Sequence, residues 1–183
     1  MKKINEELLI HTPVFDLVKK TFEETNFQPV GLNCNDWCMI IALDRNENTI
    51  VVKQTRWGSE KKTIEFPCGM VEKGEAPKDA ALREFKEETG IEVEPSQLNE
   101  IAKFNPNPAY FNNTMHVFMT HSISDLTEAF EKRGEQHLDK DEDCIPLVEK
   151  LDDALMDEIS KHAIGLAALA ALAALYKIKK LKN

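Results

Sequence analysis

Two apolar runs, WCMIIAL at residues 37–43 and IVV beginning at Ile50, flank the polar segment DRNENT. Short continuous apolar runs bounded by turn residues predict strands buried on both faces, here joined as a hairpin. A third strand is expected over residues 63–66 and stops at Pro67, because proline lacks the amide hydrogen a ladder needs. Residues 69–74 read as a turn-rich loop. A helix follows over residues 76–89: Pro77 suits a first turn, Ala80, Ala81 and Phe85 form an apolar stripe, and Gly90 is a stop. Further strands are predicted over residues 101–104 and 115–120, separated by FNPNPAYFNNT.

The ends of the chain are patterned differently. Residues 1–33 start polar, alternate briefly near Val14 to Val18 as a strand would, and break at Gln28, Pro29 and Gly31. They read as an N-terminal appendage. Residues 128–158 carry twelve acidic and four basic side chains, the pattern of a solvated connection leading into a helix. From Lys161 an Ala/Leu helix is predicted with Leu166, Leu169, Leu172 and Leu175 at spacing three, a stripe for core or dimer packing. Its cationic end, KIKKLKN, suits a helix C-terminus. The division expected is therefore an N-terminal segment, residues 1–35, available for dimer formation, and one domain over residues 36–183 that includes the last helix.

Composition narrows the classes. With 183 residues, 42% hydrophobic and 30% charged, the chain is an ordinary globular one; collagen-like, disordered and coiled-coil readings are excluded. A net charge of -9 disfavours nucleic acid as a partner, so any phosphate must be held locally or through a cation. Cys34, Cys38, Cys68 and Cys144 show no CxxC spacing, and free thiols in a reducing cytoplasm are expected. The N-terminus has no apolar core of secretory-signal length, and the longest apolar run, residues 163–176, falls short of the roughly 18 residues a membrane span needs.

The chemistry concentrates in residues 69–91, GMVEKGEAPKDAALREFKEETGI. On a helix, Glu84, Glu87 and Glu88 stand at i, i+3 and i+4, so their carboxylates leave nearly one face. Unit charges near 4 Å repel by roughly 4 kcal/mol at an effective dielectric of 20. Arg83 reaches Glu87 four residues on and relieves part of this, and a hard divalent cation with oxygen ligands would relieve the rest. A solvated acidic face is the bland alternative. The Gly-containing loop argues against it, because Glu75 and exposed backbone carbonyls there let ligands converge from two elements.

The segment matches the signature of the Nudix hydrolases at every specified position: Gly69, Glu75, Arg83, Glu84, Phe85, Glu87, Glu88, Gly90 and Ile91. Phe85 is bulkier than the aliphatic residue usual at its position. The resemblance, over roughly residues 36–178, implies an α/β fold, a Nudix-type α/β/α sandwich with a mixed central sheet. It implies Mg²⁺- or Mn²⁺-dependent hydrolysis of a nucleoside diphosphate linked to another moiety. By position, Glu84 and Glu88 match the main metal ligands, with the Cys68 carbonyl a third; Glu87 matches an auxiliary ligand, and Arg83 its orienting partner.

The stretch QTRWGSEKKTIEFPCGMVEKGE resembles the branch of ADP-ribose and ADP-sugar pyrophosphatases. That resemblance maps Arg56 to a phosphate contact and Glu65 to an acidic residue near the terminal ribose or the metals. Taken alone, Arg56 reads equally as a surface hairpin charge and Glu65 as a solvated strand-end carboxylate. Pro106 or Pro108 supplies the proline that the branch carries past the box, whereas Tyr110-Phe111-Asn112-Asn113 stands where an acidic residue is often found. Trp57, Tyr110 and Phe111 could stack a base or simply cover a sheet edge. The branch takes its general base from a late acidic loop, which QHLDKDEDCI resembles. This points to Glu142, with Glu135 and Asp139 behind it. The Asp139, Asp141, Asp143 spacing is not a calcium loop, since Cys144 and Lys150 occupy the positions that need Gly and Glu.

The expected function is hydrolysis of the diphosphate bond of ADP-ribose or a related nucleoside diphosphate sugar by a cytoplasmic homodimer. The N-terminal segment would help build the partner's base pocket. Alternatives within the fold are hydrolysis of oxidised nucleoside triphosphates or dinucleoside polyphosphates, a non-catalytic nucleotide sensor, and an isomerase of isoprenoid diphosphates. The complete set of box glutamates argues against the last two.

Overall fold

The computed structural model describes residues 1–140 and 142–181. Its strands are β1 (Lys3–His11), β2 (Phe15–Phe22), β3 (Val30–Cys34), β4 (Trp37–Ala42), β5 (Asn48–Arg56), β6 (Lys61–Glu65), β7 (Cys68–Met70), β8 (Asn99–Phe104), β9 (Met115–Thr120) and β10 (Ile145–Lys150). The helices are α1 (Pro77–Thr89), α2 (Leu126–Glu131), α3 (Asp153–Ser160) and α4 (Ala163–Leu181). The central sheet has the order β7-β4-β9-β8 and is mixed: β4 and β9 run parallel, Trp37 opposite Met115 through Ala42 opposite Thr120, and the other pairs are antiparallel. A second, antiparallel sheet has the order β10-β5-β6, and a third has β1-β2-β3.

Side-chain alternation along β4 explains the layering. Cys38, Ile40 and Ala42 join Ala80, Ala81 and Phe85 of α1 and Leu126 of α2 in one apolar cluster. Met39 and Ile41 point the other way, into a cluster with Ile159 of α3 and Ala168 and Leu172 of α4. Successive strand residues face opposite sides, so a strand covered on both faces reads as unbroken apolar sequence. Phe85, Ile40, Ile41 and Ile159 are each almost fully buried, at about 1.5–3 kcal/mol of hydrophobic stabilisation apiece. The α/β/α sandwich with a mixed sheet is thus the observed fold.

Several elements differ from the pattern-based expectation. The runs at β4 and β5 are strands but do not form a hairpin ladder; only an isolated bridge, Leu43 to Thr49, joins them before they enter separate sheets. The buried Asp44 bends the turn: Oδ1 accepts the N–H groups of Asn46 and Asn48, and Oδ2 accepts Asn48 Nδ2 and the Leu126 N–H. Residues 1–34 form a three-stranded sheet rather than one short strand, and β10 lies inside the acidic stretch expected to be a connection. In α4 the leucine stripe turns off the core: Leu172 is buried but Leu166 is 55% exposed. Spacing three rotates each residue about 60° backwards on a 3.6-residue helix, so four such leucines sweep round half the surface. Part of the cationic KIKKLKN end, and Asp141 of the acidic loop, lie outside the described residues. Among the described residues, no helix is long and apolar enough to cross a membrane.

Candidate active site

Helix α1 carries the acidic constellation, and its ends are set by local rules. Pro77 occupies the first turn, where a missing N–H costs nothing, and Asp79 lies favourably at the positive end of the helix. Gly90 ends the helix in the left-handed region at φ 73°, its N–H donating to Lys86 O. From this rigid platform Arg83 gathers three carboxylates. Its Nε and Nη2 donate to Glu75 at 3.0 Å each, and Nη1 donates to Glu84 at 2.8 Å and Glu87 at 2.9 Å. Nη2 also donates to Met70 O at 3.0 Å, tying the helix to β7. Sequence spacing suggested only the Glu87 contact. The fork to Glu75 crosses the loop, so Glu75 serves Arg83 instead of pointing at Glu84 and Glu88 as a free ligand.

Gly69 lets β7 pass directly beneath Glu84: a Cβ added there would lie 2.0 Å from the Glu84 carboxyl carbon. Glu84 is half-buried, and burial pushes its carboxyl above the usual range, with Glu87 and Glu142 adding to the rise and Arg83 opposing it. Glu88 is only 1% exposed. Its Oε2 accepts the Cys68 N–H at 3.0 Å, and its Oε1 has no hydrogen-bond partner. Burial first, then the negative charges of Glu142 and Glu84, push Glu88 well above the ordinary carboxylate range. A buried carboxylate oxygen without a partner, beside two like charges, is what a hard cation would satisfy. Among the described residues no three such side chains are gathered as a finished coordination shell, Glu84 being turned to Arg83 and Glu88 to Cys68.

The other predicted residues fall into two groups. Glu142 stands close enough to Glu84 and Glu88 for its charge to raise both, and its own N–H donates to Asp139 O at 3.1 Å. Arg56 and Glu65 form a bidentate pair, Nε to Oε1 at 2.8 Å and Nη2 to Oε2 at 2.7 Å, and Thr63 Oγ1 also donates to Glu65. Burial opposes the charge on Glu65, but Arg56 and Thr63 outweigh it and hold the carboxyl below its ordinary range. Cys68 Sγ lies 3.5 Å from Arg56 Nη2, and burial raises its thiol well above the usual value. By contrast, Trp57 is 75% exposed on the turn after β5 and Tyr110 is 60% exposed. Phe111 packs edge-on to Trp37 with ring centroids 5.6 Å apart.

Asp143, Thr55 and Gln136 make contacts at this site that their spacing in the sequence did not indicate. Asp143 Oδ1 accepts the Thr55 N–H at 2.8 Å, and Thr55 Oγ1 donates to Oδ2. Gln136 Nε2 donates to the carbonyls of both Glu88 and Cys144. Polar residues in an acidic stretch look alike until the fold shows which backbone group each one meets. A cavity of about 340 Å³ opens beside the end of α1, lined by Lys86, Gly90, Arg133 and His137; Glu75, Glu84, Glu87 and Glu88 do not line it.

Known proteins resemble the chain in sequence and in fold. The chain is 35% identical over 116 residues to an ADP-ribose pyrophosphatase of Bacillus subtilis, a match covering 63% of this chain and 58% of the relative. It is 35% identical over 117 residues to a methanol dehydrogenase activator of Bacillus methanolicus, again covering 63% and 58%. The match thus spans less than two thirds of the length of these curated relatives. A solved structure described as an ADP compounds hydrolase superimposes with a TM-score of 0.71 at 20% identity, covering 98% of this chain and 96% of that one, a likeness of fold. The NUDIX domain itself matches residues 35–166, the greater part of the chain and all of the acidic constellation. The chain belongs to the NUDIX domain family.

Proposed function

We propose that the protein hydrolyses the diphosphate bond of ADP-ribose or a related nucleoside diphosphate sugar, releasing a nucleoside monophosphate and a sugar phosphate. The observation that carries this reading is the buried, unpartnered Glu88 Oε1 beside Glu84 and Glu142, at the junction of β7 and α1. Glu84, Glu88 and the Cys68 carbonyl would hold Mg²⁺ or Mn²⁺, with Glu87 auxiliary. When bound, such a cation neutralises diphosphate charge and polarises phosphorus towards attack by water.

The chain's own residues do the rest. Arg83 fixes the carboxylates of Glu84 and Glu87 against their mutual repulsion. Arg56 spends Nε and Nη2 on Glu65, so a substrate phosphate would meet Nη1, while Glu65 keeps the guanidinium from turning away and would lie near the terminal ribose or the metals. Glu142 accepts the proton of the attacking water, its charge placed among the box carboxylates. Exposed Trp57 and Tyr110 would offer faces to a base, as would Phe111, which packs on Trp37.

The same reading divides the chain into an N-terminal segment, residues 1–35, and a hydrolase domain, residues 36–183, and makes the protein a homodimer. Every residue of β1 is exposed, including Ile4, Leu8, Leu9 and Ile10, and a second copy would cover that strand. Four free thiols suit a reducing, cytoplasmic setting. Incubation with Mg²⁺ and a panel of nucleoside diphosphate sugars should yield AMP and ribose phosphate from ADP-ribose. Silence across the panel with both Mg²⁺ and Mn²⁺ would overturn the reading.

A further inference from the structure

The segment that carries Glu142 meets a physical difficulty. It brings a carboxylate towards Glu84 and Glu88, whose charges repel it, and on a largely polar, exposed loop it should swing into solvent. Contacts on both sides of Glu142 oppose that. Upstream, the segment docks on the end of α1: Gly134 N–H donates to Gly90 O and His137 N–H to Glu87 O, each at 2.9 Å. Helix ends leave carbonyls without intrahelical partners, so these are groups that need donors. Gln136 Nε2 takes the next one, Glu88 O, and the same amide nitrogen reaches Cys144 O at 3.2 Å, two residues past Glu142. One side chain thereby links both flanks of the loop to the helix residue that bears the buried carboxylate. Immediately after Glu142, Asp143 forks Thr55 through its N–H and its hydroxyl, next to Arg56 on β5.

We infer that Gln136 and Asp143 are positioning residues: a two-point clamp that sets where Glu142 stands relative to Glu84 and Glu88, one point on α1 and the other on β5. Neither touches the reacting atoms. The clamp refers Glu142 to the two elements that supply the box carboxylates and Arg56, so proton acceptor, cation ligands and phosphate contact share one frame. A misplacement of about 1 Å in such a frame can cost a hundredfold in rate. The close approach of the strap also explains Gly90 beyond its φ: a Cβ there would lie 2.3 Å from Gly134 O.

The inference rests on the reading of Glu142 as proton acceptor, and the test separates the two. Steady-state kinetics with ADP-ribose and Mg²⁺ would be measured for Gln136→Met, Asp143→Ala, Asp143→Asn and Glu142→Gln, and for the first two combined with Glu142→Gln. Glu142→Gln should lower kcat by about a hundredfold or more. Gln136→Met and Asp143→Ala should each lower kcat by about ten- to a hundredfold, with KM moved less than about twofold. Asp143→Asn, which still offers Thr55 an acceptor and a donor, should recover most of the loss. In the Glu142→Gln background each clamp substitution should cost less than about twofold, because nothing remains to be positioned. Thermal melting checks that each variant is folded. Full kcat in both clamp variants, or an undiminished loss in the Glu142→Gln background, overturns the clamp alone. Full kcat in Glu142→Gln overturns the role of Glu142, and the clamp with it.

Discussion

Replacing Glu88 with glutamine should stabilise the metal-free protein, and more so as the pH rises. The carboxyl is almost completely buried, one oxygen accepts the Cys68 N–H, and the other has no partner. Burial, with Glu142 and Glu84 nearby, raises its native pKa well above the ordinary value. In the unfolded chain it titrates near about 4.3. Between that value and the raised native one, the native state holds a proton that the unfolded state has released, so stability falls as pH increases. The limit is about 1.4 kcal/mol per pH unit, or roughly 3 kcal/mol from pH 5 to pH 7. Glutamine keeps a carbonyl for the Cys68 N–H and carries no charge.

The carboxyls of Asp44, Glu65 and Glu75 are shifted the opposite way, downwards. Their contributions are complete above the ordinary carboxylate range and are lost only as pH falls through the lowered values, so they tilt neither protein in this window. Melting curves in chelator should therefore show the wild type losing up to roughly 6–12 °C relative to Glu88→Gln between pH 5 and pH 7, at 2–4 °C per kcal/mol for a chain of this size. Added Mg²⁺ should raise the wild-type melting temperature and leave that of the variant unchanged. Parallel melting-temperature profiles for the two proteins across this range would refute the argument that burial and its acidic neighbours raise the Glu88 carboxyl above the ordinary range.

Gly69→Ala should lower activity and Mn²⁺ affinity by about tenfold or more with little loss of melting temperature. The added Cβ meets the far end of a flexible side chain, Glu84, which can swing away but not stay in place. Gly90→Ala meets rigid backbone instead, at a positive φ, and should cost about 2 kcal/mol or more in denaturant unfolding. Leu8→Lys in β1 should leave the fold intact and, in sedimentation measurements, convert a two-chain particle into a single chain; a wild type that sediments as one chain would remove the dimer from the account.

How much could be read without coordinates depended on whether a feature was local. Helix α1 was plain because its stripe, its Pro77 and its Gly90 lie within fourteen residues, and the box glutamates share a face by spacing alone. The strands β4 and β5 were recognisable but their pairing was not. Residues apolar on both faces carry no register, and the separation depends on Asp44 bonding a helix N–H some eighty residues away. Strand β1 has no buried face at all, so no alternation is imposed on it. The Arg83 fork to Glu75 and the Arg56 pair with Glu65 bridge a loop and a hairpin, where spacing predicts nothing. Gln136 and Asp143 acquire meaning only from the backbone groups they meet.

On the proposed reading, the carboxylates of α1 act through a divalent cation to break a diphosphate bond. Phosphorus NMR of ADP-ribose turnover, with the protein first in chelator and then with Mg²⁺ restored, tests it most directly when wild type and Glu88→Gln are run side by side. Expected are no turnover in chelator, AMP and ribose phosphate once Mg²⁺ is returned to the wild type, and a rate lower by about a hundredfold or more in the variant. Turnover that survives chelation, or a Glu88→Gln variant as fast as the wild type, would contradict it.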